Sequence, residues 1–368
     1  MKLKDLIESN NTGLDAIKRA PIVDYDTGVR CLRIGDISNN RPFNEWGYTE
    51  VEDNNYNKFQ LKTGDIIVAR TGATIGVNKY IDKDYKSVYN NGLIRIRVKK
   101  ENNPKYVYYL LQSTNYKNFI KTISMGTSTQ PNMQMNDLLN LEVPDFDKPK
   151  QDKIVEILGK IDDKIELNNE INNNLYEEAV ALYKDKFKGI EQGEKTIREY
   201  MLPKRGKNLL TRDAVEGEIP VVAGGLEPSA YHNQSNTKSP VITISASGAN
   251  AGYTNLWNIP VWASDCSYID ESITKNVYFW YIVLKTRQNE IFDAQTGSAQ
   301  PHIYPQHIAE MPIDVLNDDE VEKYNTLVEP LFKMIGNNKT ENIKLSQLRD
   351  ALLPKLMNGE IDLDNLEI

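Results

Sequence analysis

Cysteine and histidine are nearly absent. The 368-residue chain has two cysteines, Cys31 and Cys266, and three histidines, His232, His302 and His307. Two thiols cannot build a disulfide framework, and the histidines lack zinc-ligand spacing, so no metal site is expected. No apolar run approaches the ~18–20 residues of a membrane span, and the start Met1-Lys2-Leu3-Lys4-Asp5 has no signal-peptide core. A cytoplasmic protein is therefore expected. A G-x-x-x-x-G-K-[ST] loop is missing, since Gly72 to Gly76 is not followed by lysine, and no G-x-G-x-x-G follows a strand. The Asn/Asp-Pro-Pro-aromatic string of amino-methylating enzymes is missing too, because Asn103-Pro104 runs on into Lys105. Pro144-Asp145 with Asp147-Lys148 reads as a linker into a helix rather than a nuclease motif, because the second half has nothing comparable. No catalytic residue is assigned, and no cofactor is expected on this chain.

A basic excess is also lacking: the net charge is −8. The average hides a gradient, however. Residues 1–149 carry 21 Lys+Arg against 18 Asp+Glu, whereas residues 318–368 carry 6 against 11. Global charge excludes a large uniform basic face but not a nucleic-acid partner.

What the chain does contain is itself, twice. Gln130-Pro131-Asn132-Met133 returns as Gln300-Pro301-His302-Ile303, and Arg70-Thr71-Gly72-Ala73-Thr74-Ile75-Gly76 pairs with Ala246-Ser247-Gly248-Ala249-Asn250-Ala251-Gly252. Val143-Pro144 pairs with Met311-Pro312, and Gly189 with Gly359, all at spacings near 170 residues. β-Branched runs precede the glycine loops, and short apolar segments, Tyr89 to Val98 and Pro260 to Ile269, read as strands. Helical spacing marks Lys105 to Leu111 and Val277 to Lys285.

A long helix follows each strand-rich part. Asp147 precedes the first, and Asp318-Asp319-Glu320 opens the second, where Pro330 predicts the start of the arm proper and Pro354 a kink. Steps of three and four give seams through Leu158, Ile161, Ile165, Asn168, Asn172, Leu175 and Leu182, and through Leu331, Met334, Asn338, Glu341, Leu345, Leu348 and Leu352. The mid-seam polar residues either fix register from a buried position or lie solvated where the seam opens. Flanking apolar residues such as Ile157, Ile171 and Leu353 leave room for a partner's helices.

Glycine-led loops after buried strands suit backbone approach to a polyanion, and Gln, Asn and Arg can read base edges. The candidate DNA contacts are Arg33, Arg70, Thr71, Gly72, Thr74, Thr127, Ser128, Thr129, Gln130 and Asn132 in the first copy. Those of the second are Ser245, Ser247, Gly248, Asn250, Tyr253, Gly297, Ser298, Gln300 and His302. The alternative is a set of ordinary tight turns; retention of the same small-polar chemistry in both copies favours the first.

At this point the chain resembles the specificity (S) subunits of type I restriction-modification systems. The resemblance rests on Cys31-Leu32-Arg33-Ile34-Gly35-Asp36-Ile37 with Gly64 to Gly72, on Ile219 to Gly225 with Val261 to Asp265, on Gln151 to Asn168, and on Leu348-Arg349-Asp350-Ala351-Leu352-Leu353-Pro354-Lys355-Leu356-Met357-Asn358-Gly359-Glu360-Ile361. It spans essentially the whole chain, which begins directly at the first recognition domain. It implies an α+β architecture: two mixed α/β, strand-rich target-recognition domains, 1–148 and 191–317, separated by two long antiparallel coiled-coil helices, 149–190 and 318–368, in a pseudo-two-fold internal repeat. It also implies DNA recognition without catalysis, each domain reading half of a bipartite, asymmetric double-stranded site. Roughly 35 helical residues at 1.5 Å each span about 50 Å, which puts half-sites about one turn apart. The implied partners are two methyltransferase subunits and two motor–nuclease subunits, and S-adenosylmethionine, ATP and Mg²⁺ would belong to them. The rivals are a stand-alone DNA-binding regulator or coiled-coil adaptor, and a self-contained DNA methyltransferase or nuclease.

Overall fold

The computed structural model describes residues 1–125, 132–297 and 300–363. They form two units, Met1–Asp163 with Leu345–Ile368, and Lys164–Lys344, so each takes in part of both long helices.

In the first unit a four-stranded antiparallel sheet runs in the order Ile7–Thr12, Leu93–Val98, Ile66–Ala69, Asn78–Tyr80. Its third strand, Ile-Ile-Val-Ala, is buried on both faces. Successive side chains of a strand point to opposite faces. Ile66 and Val68 accordingly join Tyr106, Val107, Ile154, Leu158 and Leu356 on the helical side. Ile67 and Ala69 join Cys31, Leu32, Trp46 and Val88 on the other. That second layer is a small sheet of Ile22–Val23, Gly47–Thr49, Arg30–Leu32 and Ser87–Tyr89.

The second unit repeats the plan. Lys204–Arg205, Cys266–Asp270, Val241–Ser245 and Thr254–Trp257 make the main sheet. Ile242 and Ile244 face helix Val277–Thr286, whose residues Val277 to Leu284 are all buried. Val241 and Cys266 face Val222 and Ala263 of the opposite layer.

The central helix runs Lys148–Lys186 and the C-terminal helix Asp318–Met357. Asp147 opens the first by accepting from the Lys150 N–H at 3.1 Å. Asn317 opens the second by accepting from Asp319 and Glu320 at 3.0 and 3.3 Å. The C-terminal helix continues through Pro330, because Val328, Phe332 and Ile335 are packed on either side of it in the core. It also runs through Pro354 to Met357.

Within the second unit the helices pair antiparallel through a polar layer. The Asn168 amide donates to Glu341 Oε2 and to Asn342 Oδ1, both at 2.8 Å, and Asn338 donates to Asn172 Oδ1 at 2.9 Å. Asn168 is 1% and Asn172 8% exposed, so these side chains are buried and paired, as a register-fixing layer requires. Of the central-helix seam, Leu158, Ile161, Asn168 and Asn172 are buried, whereas Ile165, Leu175 and Leu182 are half-buried. On the C-terminal helix the frame is wrong in two places, since Met334 is 51% and Leu348 48% exposed. The buried stripe passes instead through Val321, Tyr324, Val328, Phe332 and Ile335, and then Leu353 and Leu356. A straight helix drifts about 20° per heptad against a strict seven-residue repeat, and here the stripe follows the sheet-packing aromatics.

Candidate nucleic-acid interface

Two loops decide whether the duplicated strings share a shape. In the first unit the loop between Ile66–Ala69 and Asn78–Tyr80 turns on Gly72 (φ +83°) and Gly76 (φ +86°). In the second the loop between Val241–Ser245 and Thr254–Trp257 turns on Gly248 (φ +81°) and Gly252 (φ +86°). Both need the left-handed region that glycine alone enters freely. The internal bonds match one for one. Gly76 N–H donates to Ala69 C=O at 2.8 Å and Gly252 to Ser245 at 2.7 Å; Ile75 donates to Gly72 at 3.2 Å and Ala251 to Gly248 at 3.0 Å; Val77 donates to Thr74 at 3.1 Å and Tyr253 to Asn250 at 2.9 Å.

The distant Gln-Pro strings meet these loops in the same way. Met133 N–H donates to Arg70 C=O at 2.8 Å, and Ile303 N–H to Ala246 C=O at 2.9 Å. Thr71 bridges Asn132, and Ser247 bridges His302. Met133 and Ile303 are fully buried and pin the segments, while Asn132 and Gln300 stay exposed. Ordinary hairpin turns do not require a partner strand some 50 to 60 residues away to be reproduced twice.

The individual side chains divide as follows. Arg70, Thr71, Gly72 and Thr74 sit half-exposed on the first loop, and an Arg70 Nη donates to Asn132 Oδ1 at 3.1 Å. Arg33 is engaged elsewhere, its Nε 3.4 Å from the buried Asp36 carboxylate. Ser247, Gly248 and Asn250 are half-exposed on the second loop. The Tyr253 ring lies 4.3 Å below the Lys285 ammonium, which burial and then the neighbouring Lys339 charge hold below its ordinary pKa. Ser245 is the exception. It is 4% exposed and its hydroxyl donates inward to the Gly224 carbonyl, because it still belongs to the strand rather than the loop. Gly297 (φ +96°) is exposed, and the His302 ring stacks at 6.0 Å and 17° on Tyr304. Thr127, Ser128, Thr129, Gln130 and Ser298 lie outside the described residues.

The structure adds side chains that sequence reading passed over. Asp265 accepts from the Ser247 hydroxyl and pairs with Arg205, so a charged pair stands at the rim of the second loop. The next residue, Cys266, is buried, and desolvation pushes its thiol up to about 12, which makes it an inert core residue. Among the described residues no group of His, Cys, Asp and Glu could hold a metal ion, and no helix is long and apolar enough to cross a membrane.

The glycines allow a direct test of loop geometry. At Gly76 a Cβ would meet Ile120 at 2.7 Å, whereas at Gly72 nothing lies within 4 Å. Gly72→Ala is expected to cost about 1 kcal/mol from backbone strain alone, and Gly76→Ala about 2–3 kcal/mol. Urea unfolding midpoints of the two variants check this, and equal losses would contradict it.

Comparison with known proteins agrees with the geometry. Residues 1–177 match the type I restriction modification DNA specificity domain family. The chain is 27% identical over 303 residues to the type I restriction enzyme MjaIX specificity subunit of Methanocaldococcus jannaschii, covering 71% of this chain and 70% of that one. It is 24% identical over 304 residues to a putative type I specificity subunit of Mycoplasma genitalium, covering 77% and 79%. The crystal structure of a type I restriction-modification S subunit from M. genitalium has the same fold, with a TM-score of 0.59 at 20% identity over 97% of this chain and 95% of that one. With one fold built twice, a family match over residues 1–177 and relatives matched along most of its length, the chain is similar throughout to type I restriction-modification specificity subunits.

Proposed function

We propose that the chain is the address-reading subunit of a type I restriction-modification complex. Each unit reads one half of a bipartite double-stranded DNA site through its glycine loop and the segment pinned to it. The observation that carries this reading is the duplicated loop, which keeps its hydrogen bonds while its side chains diverge. Identical scaffolds with different side chains suit two half-sites of different sequence, hence a non-palindromic target. The long helices act as the spacer and as the dock for two methyltransferase subunits, to which two motor–nuclease subunits are added. S-adenosylmethionine is assigned to the methyltransferase subunits, and ATP and Mg²⁺ to the motor–nuclease subunits.

The net charge of −8 agrees with a subunit that shares phosphate contact with its partners. Methylation mapping of host DNA with and without the gene tests the reading. The expected result is a bipartite, asymmetric motif that vanishes with the gene. Removing seven residues from each long helix should shorten the unread gap and leave both half-sites intact. A continuous or palindromic motif, or a gap indifferent to helix length, would overturn it.

A further inference from the structure

The two loops differ at one backbone rung in a way that inverts their chemistry. In the first unit the Arg70 N–H donates to the Gly92 carbonyl at 2.9 Å, and in the second the Ala246 N–H donates to the Asp265 carbonyl at 3.1 Å. The rung is the same, since both residues end the same strand and face the start of the same neighbour. Its side chains are exchanged, arginine opposite nothing in one unit and a methyl group opposite aspartate in the other.

Exchanging the two arrangements would require repacking on both sides. A Cβ at Gly92 would lie 2.6 Å from Ile34 Cδ1, so an acid there would have to displace the Ile34 side chain. Ala246 is 2% exposed, so the second has no room for an arginine. Each surviving side chain is held in place. Asn132 accepts one of the five Arg70 N–H donors and sets the direction of the guanidinium. Arg205 and Ser247 each bind one oxygen of Asp265, which fixes the carboxylate and leaves further lone pairs to accept.

We propose that this rung fixes opposite hydrogen-bond polarity in the two half-sites. The first unit presents a donor fork through Arg70 and selects a guanine by its O6 and N7. The second presents an acceptor through Asp265 and selects a base offering an exocyclic amino group in the major groove, cytosine N4 or adenine N6. The inference rests on the reading that both loops face DNA.

The test uses the chain assembled with its methyltransferase subunits. Methylation maps are compared for the unaltered protein, Arg70→Ala and Asp265→Asn. Arg70→Ala is expected to lower the preference for guanine roughly ten- to a hundred-fold at one position of one half-site. Asp265→Asn should relax one amino-bearing position of the other half-site and no other. If either variant fails to methylate, Arg70→Lys and Asp265→Glu are substituted, and competition by duplexes with single-base changes reads the same discrimination. Relaxation of a pyrimidine by Arg70→Ala, relaxation of both positions within one half-site, or two unchanged half-sites would overturn the rung. An unaltered protein with no bipartite motif would instead overturn the proposed function itself.

Discussion

Truncating Phe279 to alanine is expected to destabilise the unit Lys164–Lys344 by about 3–5 kcal/mol. Phe279 is fully buried, and its ring sits 5.0 Å from Phe187, 5.2 Å from Trp280, 6.1 Å from Tyr324 and 6.3 Å from Tyr183. Tyr183 belongs to the central helix, Tyr324 to the C-terminal helix, and Phe279 to helix Val277–Thr286 beneath the unit's main sheet. The ring is therefore where three helices meet, and removing it leaves a cavity whose walls are long elements unable to collapse independently. Phe279→Leu keeps most of the volume and should lose about 1–1.5 kcal/mol. Urea unfolding followed by tryptophan emission checks both, since Trp257, Trp262 and Trp280 lie in this unit. A loss below about 1 kcal/mol for the alanine variant would mean the cluster is not the joint described.

The second large effect belongs to the other unit. Asp162 on the central helix accepts from the Tyr109 hydroxyl at 2.6 Å and from an Arg349 Nη at 2.9 Å. Tyr109 is 1% exposed, and burial, with the Asp162 bond adding to it, drives its hydroxyl well above the ordinary tyrosine pKa. Asp162→Ala leaves a buried hydroxyl without its acceptor and a half-buried guanidinium with only the more distant Asp350 carboxylate, at 3.5 Å, as counter-ion. We expect a loss of about 2–4 kcal/mol. Tyr109→Phe removes one donor and leaves the carboxylate its arginine, so it should lose only about 1 kcal/mol. A double-mutant cycle on stability separates the terms, and additive losses would show that the three groups do not act together.

The sequence carried the repeat and the loops because both depend on residues that permit little substitution: glycines at positive φ, and the buried Met133 and Ile303 that pin their segments. The small second layer was not legible. Its strands, such as Ile22–Val23 and Arg30–Leu32, are two or three residues long, too short for alternation to register. Asp265 escaped because a lone acid marks no site by itself, and its partner Arg205 lies 60 residues away. The frame of the C-terminal helix slipped at Met334 and Leu348 because leucine spacing alone cannot tell the face packed on the sheet from its neighbour. Ser245 was placed on the loop because its string continues into the glycines, whereas the strand extends one residue further than the string shows.

The two units differ in how the chain supplies them. Lys164–Lys344 is one continuous stretch, whereas the other unit needs both Met1–Asp163 and Leu345–Ile368. During synthesis Met1–Asp163 therefore waits for the segment that follows Lys344. Ile154 and Leu158 acquire Leu353 and Leu356 as core neighbours only after residues beyond Lys344 have been made. The later-made unit can complete its core first, reversing the usual amino-to-carboxyl order in which domains fold on the ribosome. A nascent chain stopped after Lys344 would carry a finished second unit and a first unit with part of its helical core exposed to water.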